Sequence, residues 1–296
     1  MRAARIAELS QAPEPVEIEG SGSIEVAAAA LNPLDLAVAS GRHYAGHPPL
    51  PYVPGCEAIG HRDGQRLYLF GDGRGLTKDG FLVERVDFPD ELAIPIPDSV
   101  DDAQAVAAGI AGLAGYVPVA KVAAVAPDDR VLVLGATGSV GTVAVQTAKL
   151  LGASRVVAAG RDETKLQRLL ELGADATVQF GHAYGEEFDV VIDPLWGEPL
   201  VRALDAAARG ARVVHIGQSA GPEATLTSAV VRGKQLRIVG YSNFALSRAD
   251  LSEAYRELLG HVADGLVRVE FESFPLERVG NAWAAQERGE KAVVTL

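Results

Sequence analysis

The stretch from Asp129 to Lys165, DRVLVLGATGSVGTVAVQTAKLLGASRVVAAGRDETK, restricts this chain more than any other. Val131–Leu134 is a short continuous apolar run, which reads as a strand buried on both faces. Gly135, Gly138 and Gly141 form a glycine-rich turn after it. A helical pattern follows, with Val140, Val143, Ala144, Thr147 and Leu151 on one face and Gly152 as its stop. Arg155–Ala159 reads as a second buried strand. Strand, glycine turn, helix and strand in one short span make a dinucleotide-binding unit. Strictly, the turn is Ala136-x-Gly138-x-x-Gly141, with alanine in the place of the usual first glycine. Gly138 lets the backbone approach a pyrophosphate, and Gly141 lets the helix pack closely on the strand. The N–H groups of Thr137, Ser139 and Val140, at the positive end of the helix dipole, are the expected phosphate donors.

The choice of dinucleotide falls at the end of the second strand. An NAD site usually carries a carboxylate there to hold the ribose hydroxyls. This chain has Gly160-Arg161, with Lys165 one helical turn further on. Glycine removes a carboxylate that would repel a 2′-phosphate, and a guanidinium grips that phosphate in bidentate fashion. NADPH is therefore the expected cofactor, and Asp162 is a candidate helix cap.

At 296 residues the chain suits two domains. The net charge of −12 argues against nucleic acid as the main partner. No apolar run is long enough to span a membrane, and no basic-then-apolar leader opens the sequence, so a cytoplasmic protein is expected. The single cysteine, Cys56, excludes an internal disulfide and a cysteine zinc cluster.

Residues 1–100 read as β-rich, with strands at Ile24–Val26, Leu67–Phe70 and Phe81–Val86 between glycine and proline punctuation. A helix is expected from Ala103 to Ala114, capped by Asp101 and Asp102. Strands at Thr177–Phe180, Asp189–Ile192, Arg212–Ile216 and Leu236–Val239, with a helix over Pro199–Ala208 ending near Gly210, continue the α/β alternation. This rhythm predicts a doubly wound parallel sheet with ligand beyond the strands' carboxyl ends. The tail reads as a helix over Arg248–Ala263, a strand at Val269–Phe271, a helix over Leu276–Arg288 and a strand at Ala292–Thr295. It is expected to return and complete the first domain.

Segments spread along the chain resemble one family. They are Asn32-Pro33-Leu34-Asp35-Leu36, Ser40-Gly41, Leu50-Pro51-Tyr52-Val53-Pro54-Gly55-Cys56-Glu57, Ala111-Gly112-Leu113 with Tyr116, the glycine turn, Asp189–Asp193, Val213–Gly217 and Lys291–Val294. Together they resemble the medium-chain dehydrogenase/reductase superfamily, in its zinc-independent, zeta-crystallin-like quinone oxidoreductase branch. The resemblance implies a Rossmann sheet domain over 102–244. It also implies a β-rich GroES-like domain built from 1–101 and 245–296. It implies hydride transfer from NADPH to a quinone or an α,β-unsaturated carbonyl, and a homodimer joined through edge strands near Val213–Ile216 and Leu236–Val239. Tyr52, Tyr44 and Asn32 are the implied hydrogen-bond or proton donors to the acceptor, and Gly217 and Asn243 the implied neighbours of the nicotinamide.

Departures from the family pattern matter too. Asn32 and Cys56 stand where zinc-dependent relatives have cysteine and histidine. No metal site is expected, although Cys56, Glu57, His43 and His47 leave a zinc-dependent alcohol dehydrogenase open as an alternative. Ala114 replaces a threonine, and the segment from Gly60 to Gly80 is shortened. These changes leave a second alternative, a catalytically weak NADPH-binding sensor or interaction protein. Cys56 reads as a small buried residue, Glu57 as a structural carboxylate, His215 as a core histidine and Trp196 as packing.

Overall fold

The structure is a computed structural model describing residues 1–296. The chain divides into two compact units, one of residues 1–111, 247–263 and 269–296, the other of 112–246 and 264–268.

In the first unit, β1 (Arg2–Arg5) and β2 (Glu14–Glu17) form an antiparallel pair. The main sheet is built from β3 (Ile24–Ala30), β4 (Glu57–Arg62), β5 (Gln65–Phe70), β6 (Arg85–Val86) and β7 (Ile94–Pro95), with helix α1 (Pro33–Ala39) after β3. β4 and β5 run from an exposed hairpin end into ends that are buried on both faces, over Glu57–Gly60 and Leu67–Phe70, and one face of the sheet carries Ile24, Val26, Ala29, Leu67 and Leu69 into the core. The expected strand at Phe81–Val86 is reduced to Arg85–Val86; Phe81 and Leu82 instead bond back to Gly55 and Pro54.

A single helix was expected over Ala103–Ala114, and the chain makes two, α2 (Asp102–Ala107) and α3 (Ile110–Val117). Asp101 caps α2 by accepting from the Gln104 N–H at 2.7 Å. The break falls at Gly109, where a Cβ would collide with the Glu57 carboxylate and crowd Tyr68. Because α2 packs on β3 and β4, the first unit extends to Ala111, past the boundary expected at residue 101.

In the second unit, β8 (Arg130–Val133), α4 (Ser139–Leu150), β9 (Arg155–Gly160), α5 (Glu163–Glu171), β10 (Ala176–Gln179), β11 (Phe188–Asp193), α6 (Gly197–Asp205), β12 (Ala207–His215), α7 (Ser228–Gly233) and β13 (Arg237–Gly240) follow in order. The six strands lie parallel in the order β10-β9-β8-β11-β12-β13. The reversal between β8 and β11 is the switch point at which such sheets bind ligands. Val131, Val133, Val156 and Ile192 face α4 and α5, while Leu132, Val157, Val191 and Val213 face α6. Two details differ from expectation. Gly210 lies inside β12 rather than after a helix, with φ +79° in an irregular stretch where the register to β11 shifts. And β12 is an interior strand, so of the two strands expected at the edge only β13 is one; the opposite edge is β10.

The tail supplies α8 (Arg248–Ala263), β14 (Glu272–Pro275), α9 (Val279–Glu287) and β15 (Ala292–Thr295). β15 pairs antiparallel with β3 and parallel with β14, so the tail completes the first unit's sheet. The strand expected at Val269–Phe271 falls slightly later, at β14. No helix is long and apolar enough to cross a membrane.

Candidate functional site

In the second unit, β8 ends in a turn in which Gly135 has φ +56°, a left-handed conformation that favours glycine. A Cβ on Gly141 would sit 2.5 Å from both the Ala136 Cα and the Gly135 carbonyl, so α4 packs this closely only with glycine. A Cβ on Gly138 would meet nothing of the protein nearer than the Gly135 carbonyl, at 3.5 Å. The space over Gly138 is therefore kept clear of the protein's own atoms. Gly138 is the N-cap of α4, where no side chain caps the helix and no acidic residue lies in the first turn. The N–H groups of Ser139 and Val140 are left as donors at the positive helix end. Ala136 and Gly141 are buried, and Thr137, Ser139 and Val140 are half-buried.

Gly160 ends β9 fully buried, with Thr137 Cγ2 at 3.4 Å from where a Cβ would be. Arg161 and Lys165 are exposed, and neither side chain is engaged by a carboxylate. Asp162 caps α5 by accepting from the Lys165 N–H at 3.0 Å. The Phe180 N–H donates to the Gly160 carbonyl at 2.8 Å, carrying the β10–β9 ladder to the strand end. The crossover from β10 to β11 is residues 180–187 and contains no helix. A cavity of about 250 Å³ opens there, lined by Phe180, Gly181, Tyr184, Glu198, Pro199 and Arg202.

Gly217 follows β12, and a Cβ on it would press on the Pro194 carbonyl at 3.0 Å. Beside it, the buried Asp193 carboxylate accepts from the Leu195 and Trp196 N–H groups at 2.9 and 3.0 Å. His215 Nδ1 lies 3.2 Å from Asp193 Oδ2, and its ring packs on Trp196 with centroids 4.3 Å apart. Trp196 has φ 59° and ψ −162°, a region otherwise left to glycine, and the two Asp193 bonds hold it there. His215 is thus half-buried at the ligand edge rather than in the core. Asn243 is buried and its Oδ1 accepts from the Tyr241 hydroxyl at 2.7 Å.

In the first unit a buried polar cluster collects residues far apart in sequence. Glu57, fully buried on β4, accepts through Oε1 from Asn32 Nδ2 at 2.8 Å and through Oε2 from the Tyr68 hydroxyl at 2.9 Å. Oε2 also accepts from the Ile110 N–H at 2.6 Å, so the carboxylate serves the N-terminus of α3. The Lys291 ammonium donates to Asn32 Oδ1 at 2.7 Å and lies 3.5 Å from Glu57 Oε1. Burial outweighs the pull of Glu57 and Asp35 and draws the Lys291 pKa down. The role of Lys291 was not foreseen; a basic residue opening a closing strand was the only signal.

The three expected donors are scattered in kind. Asn32 is 1% exposed and both ends of its amide are bound within the cluster, so it is not a free donor. Tyr44 is 93% exposed and packs on His43. Tyr52 is buried, its hydroxyl has no hydrogen-bond partner, and burial with the nearby Asp35 and Cys56 pushes its pKa up. Asp35 accepts from the Asn32 N–H at 2.8 Å through Oδ2, while its buried Oδ1 is unpaired. Burial raises its pKa to about 6 and raises that of the neighbouring Cys56 thiol well above normal.

Zinc does not fit this cluster. Its cation position is taken by Lys291, and no three His, Cys, Asp or Glu side chains converge as a metal-binding group.

Comparison with known proteins agrees with this architecture. The family described as zinc-binding dehydrogenase matches residues 139–262. The human quinone oxidoreductase is 26% identical over 287 residues, covering 90% of this chain and 85% of that one. A polyketide synthase subunit of Mycobacterium tuberculosis, named for phenolphthiocerol and phthiocerol, is 31% identical over 272 residues. That match takes in 83% of this chain but only 12% of the synthase subunit. The crystal structure of the Thermus thermophilus quinone oxidoreductase, also solved with NADPH, superposes with a TM-score of 0.80 at 27% identity, each chain fully covered. A crystal structure of an NAD-dependent alcohol dehydrogenase gives a TM-score of 0.86 at 27% identity, again with full coverage. With the glycine turn, the switch point and the tail-completed β sheet already described, the chain belongs to the quinone oxidoreductase branch of the medium-chain dehydrogenase/reductase superfamily.

Proposed function

We propose that the protein is an NADPH-dependent reductase that passes hydride to a quinone or an α,β-unsaturated carbonyl without zinc. The observation that carries this reading is the uncapped, acid-free N-terminus of α4 over the clear space at Gly138, with the unpaired Arg161 beyond Gly160. In this reading the N–H groups of Ser139 and Val140 hold the pyrophosphate, and Arg161 with Lys165 holds the 2′-phosphate. Gly217 and Asn243 are assigned to the nicotinamide end. The bound nicotinamide supplies the hydride; the protein supplies position and electrostatics.

Charge develops on the acceptor oxygen, and a donor near it lowers the barrier. Tyr52 is the candidate, because its buried hydroxyl is the one polar atom of the three expected donors left unmatched inside the protein. Asn32 belongs instead to the scaffold. Zinc independence is supported by the Lys291 ammonium at the place where a metal would need ligands. A homodimer is proposed through the β13 edge, where Val239 is 45% exposed.

The test is NADPH and NADH oxidation by purified protein against a panel of quinones and enones, with metal analysis and light scattering on the same sample. Saturable, NADPH-selective turnover without stoichiometric metal is expected. Absence of turnover with every acceptor, despite tight NADPH binding, would favour the sensor reading.

A further inference from the structure

Arg248, the first residue of α8, is a half-buried cation without a counterion. Its Nη2 is buried and has no hydrogen-bond partner, and no carboxylate pairs with the guanidinium. The nearest acid in sequence, Asp250, accepts from the Ser247 hydroxyl at 2.6 Å instead. The charged neighbour acting on Arg248 is Arg256, of the same sign, and burial lowers its pKa. Tyr68 supplies no anion for it, since its hydroxyl donates to Glu57 at 2.9 Å.

A guanidinium presents five donors and loses hydration on burial, so leaving it unmatched is unfavourable. Acids are not scarce here: the chain carries 39 acidic against 27 basic residues. An arginine left unmatched amid that surplus fits a place kept for an incoming anion. Its setting favours the acceptor over the cofactor. Arg248 opens α8, whose Tyr255 packs on Tyr68 with ring centroids 4.2 Å apart; Tyr68 is bonded through Glu57 to Asn32, all in the first unit, whereas the phosphate-binding features lie in the second.

We propose that Arg248 anchors an oxyanion, a carboxylate or a phosphate, carried by the acceptor. The word acceptor rests on the reductase reading; the anion site does not. The acceptor class is then a quinone or enone with an acidic group, held by a bidentate charge-assisted contact.

The first measurement is thermal denaturation of wild type, Arg248→Lys and Arg248→Met in inorganic phosphate against chloride at constant ionic strength. The Arg248→Met protein is expected to fold with undiminished stability in chloride, since it loses an unpaired charge. Its apparent Kd for phosphate should rise on the order of tenfold or more, with Arg248→Lys between the two. Equal phosphate protection in wild type and Arg248→Met, or no protection in wild type, would overturn the site. The second measurement compares a carboxylate-bearing enone with its methyl ester. Arg248→Met should raise KM for the acid about tenfold and leave the ester and the NADPH Kd unchanged. A raised NADPH Kd with no change in the acid-to-ester ratio would assign the oxyanion to the cofactor and refute the acceptor assignment. A protein inactive on every acceptor would sink the reductase reading while leaving the phosphate result legible.

Discussion

The Lys291 ammonium and the Glu57 carboxylate stand 3.5 Å apart, each almost fully buried, and Asn32 bonds to both. Two charges withdrawn from water are tolerated when each has further hydrogen-bond partners, and these have them. Glu57 also joins β4 to β5 through Tyr68 and to α3 through Ile110, while Lys291 brings in the closing strand β15.

Lys291→Met should therefore leave a buried carboxylate without its cation and cost about 3–5 kcal/mol. Lys291→Met combined with Glu57→Gln should recover part of that loss. Urea denaturation of the three proteins checks it; equal stability of the single variant and wild type would refute the keystone role.

The two glycines of the turn should separate stability from binding. Gly141→Ala forces a Cβ to 2.5 Å from Ala136 Cα, so a loss of about 1–3 kcal/mol in stability is expected. Gly138→Ala meets no close atom of the protein and should keep the melting temperature, yet weaken NADPH binding. Melting curves beside fluorescence titration distinguish the two effects.

Arg161→Ala should weaken NADPH binding about tenfold, because the contact is exposed and partly screened. NADH binding should be unchanged. A variant that binds both as wild type does would return the cofactor choice to NAD.

Asp35 titrates near 6 in the folded protein, against 3.8 for the free side chain, because it is buried. A raised carboxyl pKa means the folded state holds its proton more tightly than the unfolded state. The stabilisation is full below pH ~4 and is lost as pH rises towards ~6, a change of about 3 kcal/mol. Asp35→Asn should flatten stability over that window, measured by denaturation at stepped pH. An unchanged slope would mean that Asp35 does not titrate there.

Much of the second unit was legible because its signals are local. The apolar run at Val131, the glycines and the Gly152 stop each act within a few residues, so β8, α4 and β9 appear where periodicity puts them. The split between α2 and α3 was not legible. Nothing near Gly109 announces that Glu57, over fifty positions earlier, fills the space a Cβ would need. Asn32 was misjudged as a free donor for the same reason: Lys291, which binds its amide oxygen, lies at the far end of the chain.

By itself, then, the sequence determined the parallel α/β sheet, its glycine-rich turn and the absence of a carboxylate at Gly160-Arg161. These depend on periods of two and 3.6 residues and on where glycine stands. Tertiary structure alone decided which polar groups are spent on one another and which are left over. The Glu57–Lys291–Asn32 cluster is closed on itself, whereas the Tyr52 hydroxyl and the Arg248 Nη2 remain unmatched. Hydrogen-bond satisfaction is a property of distance in space, and the pairs that settle it here lie up to 260 residues apart along the chain.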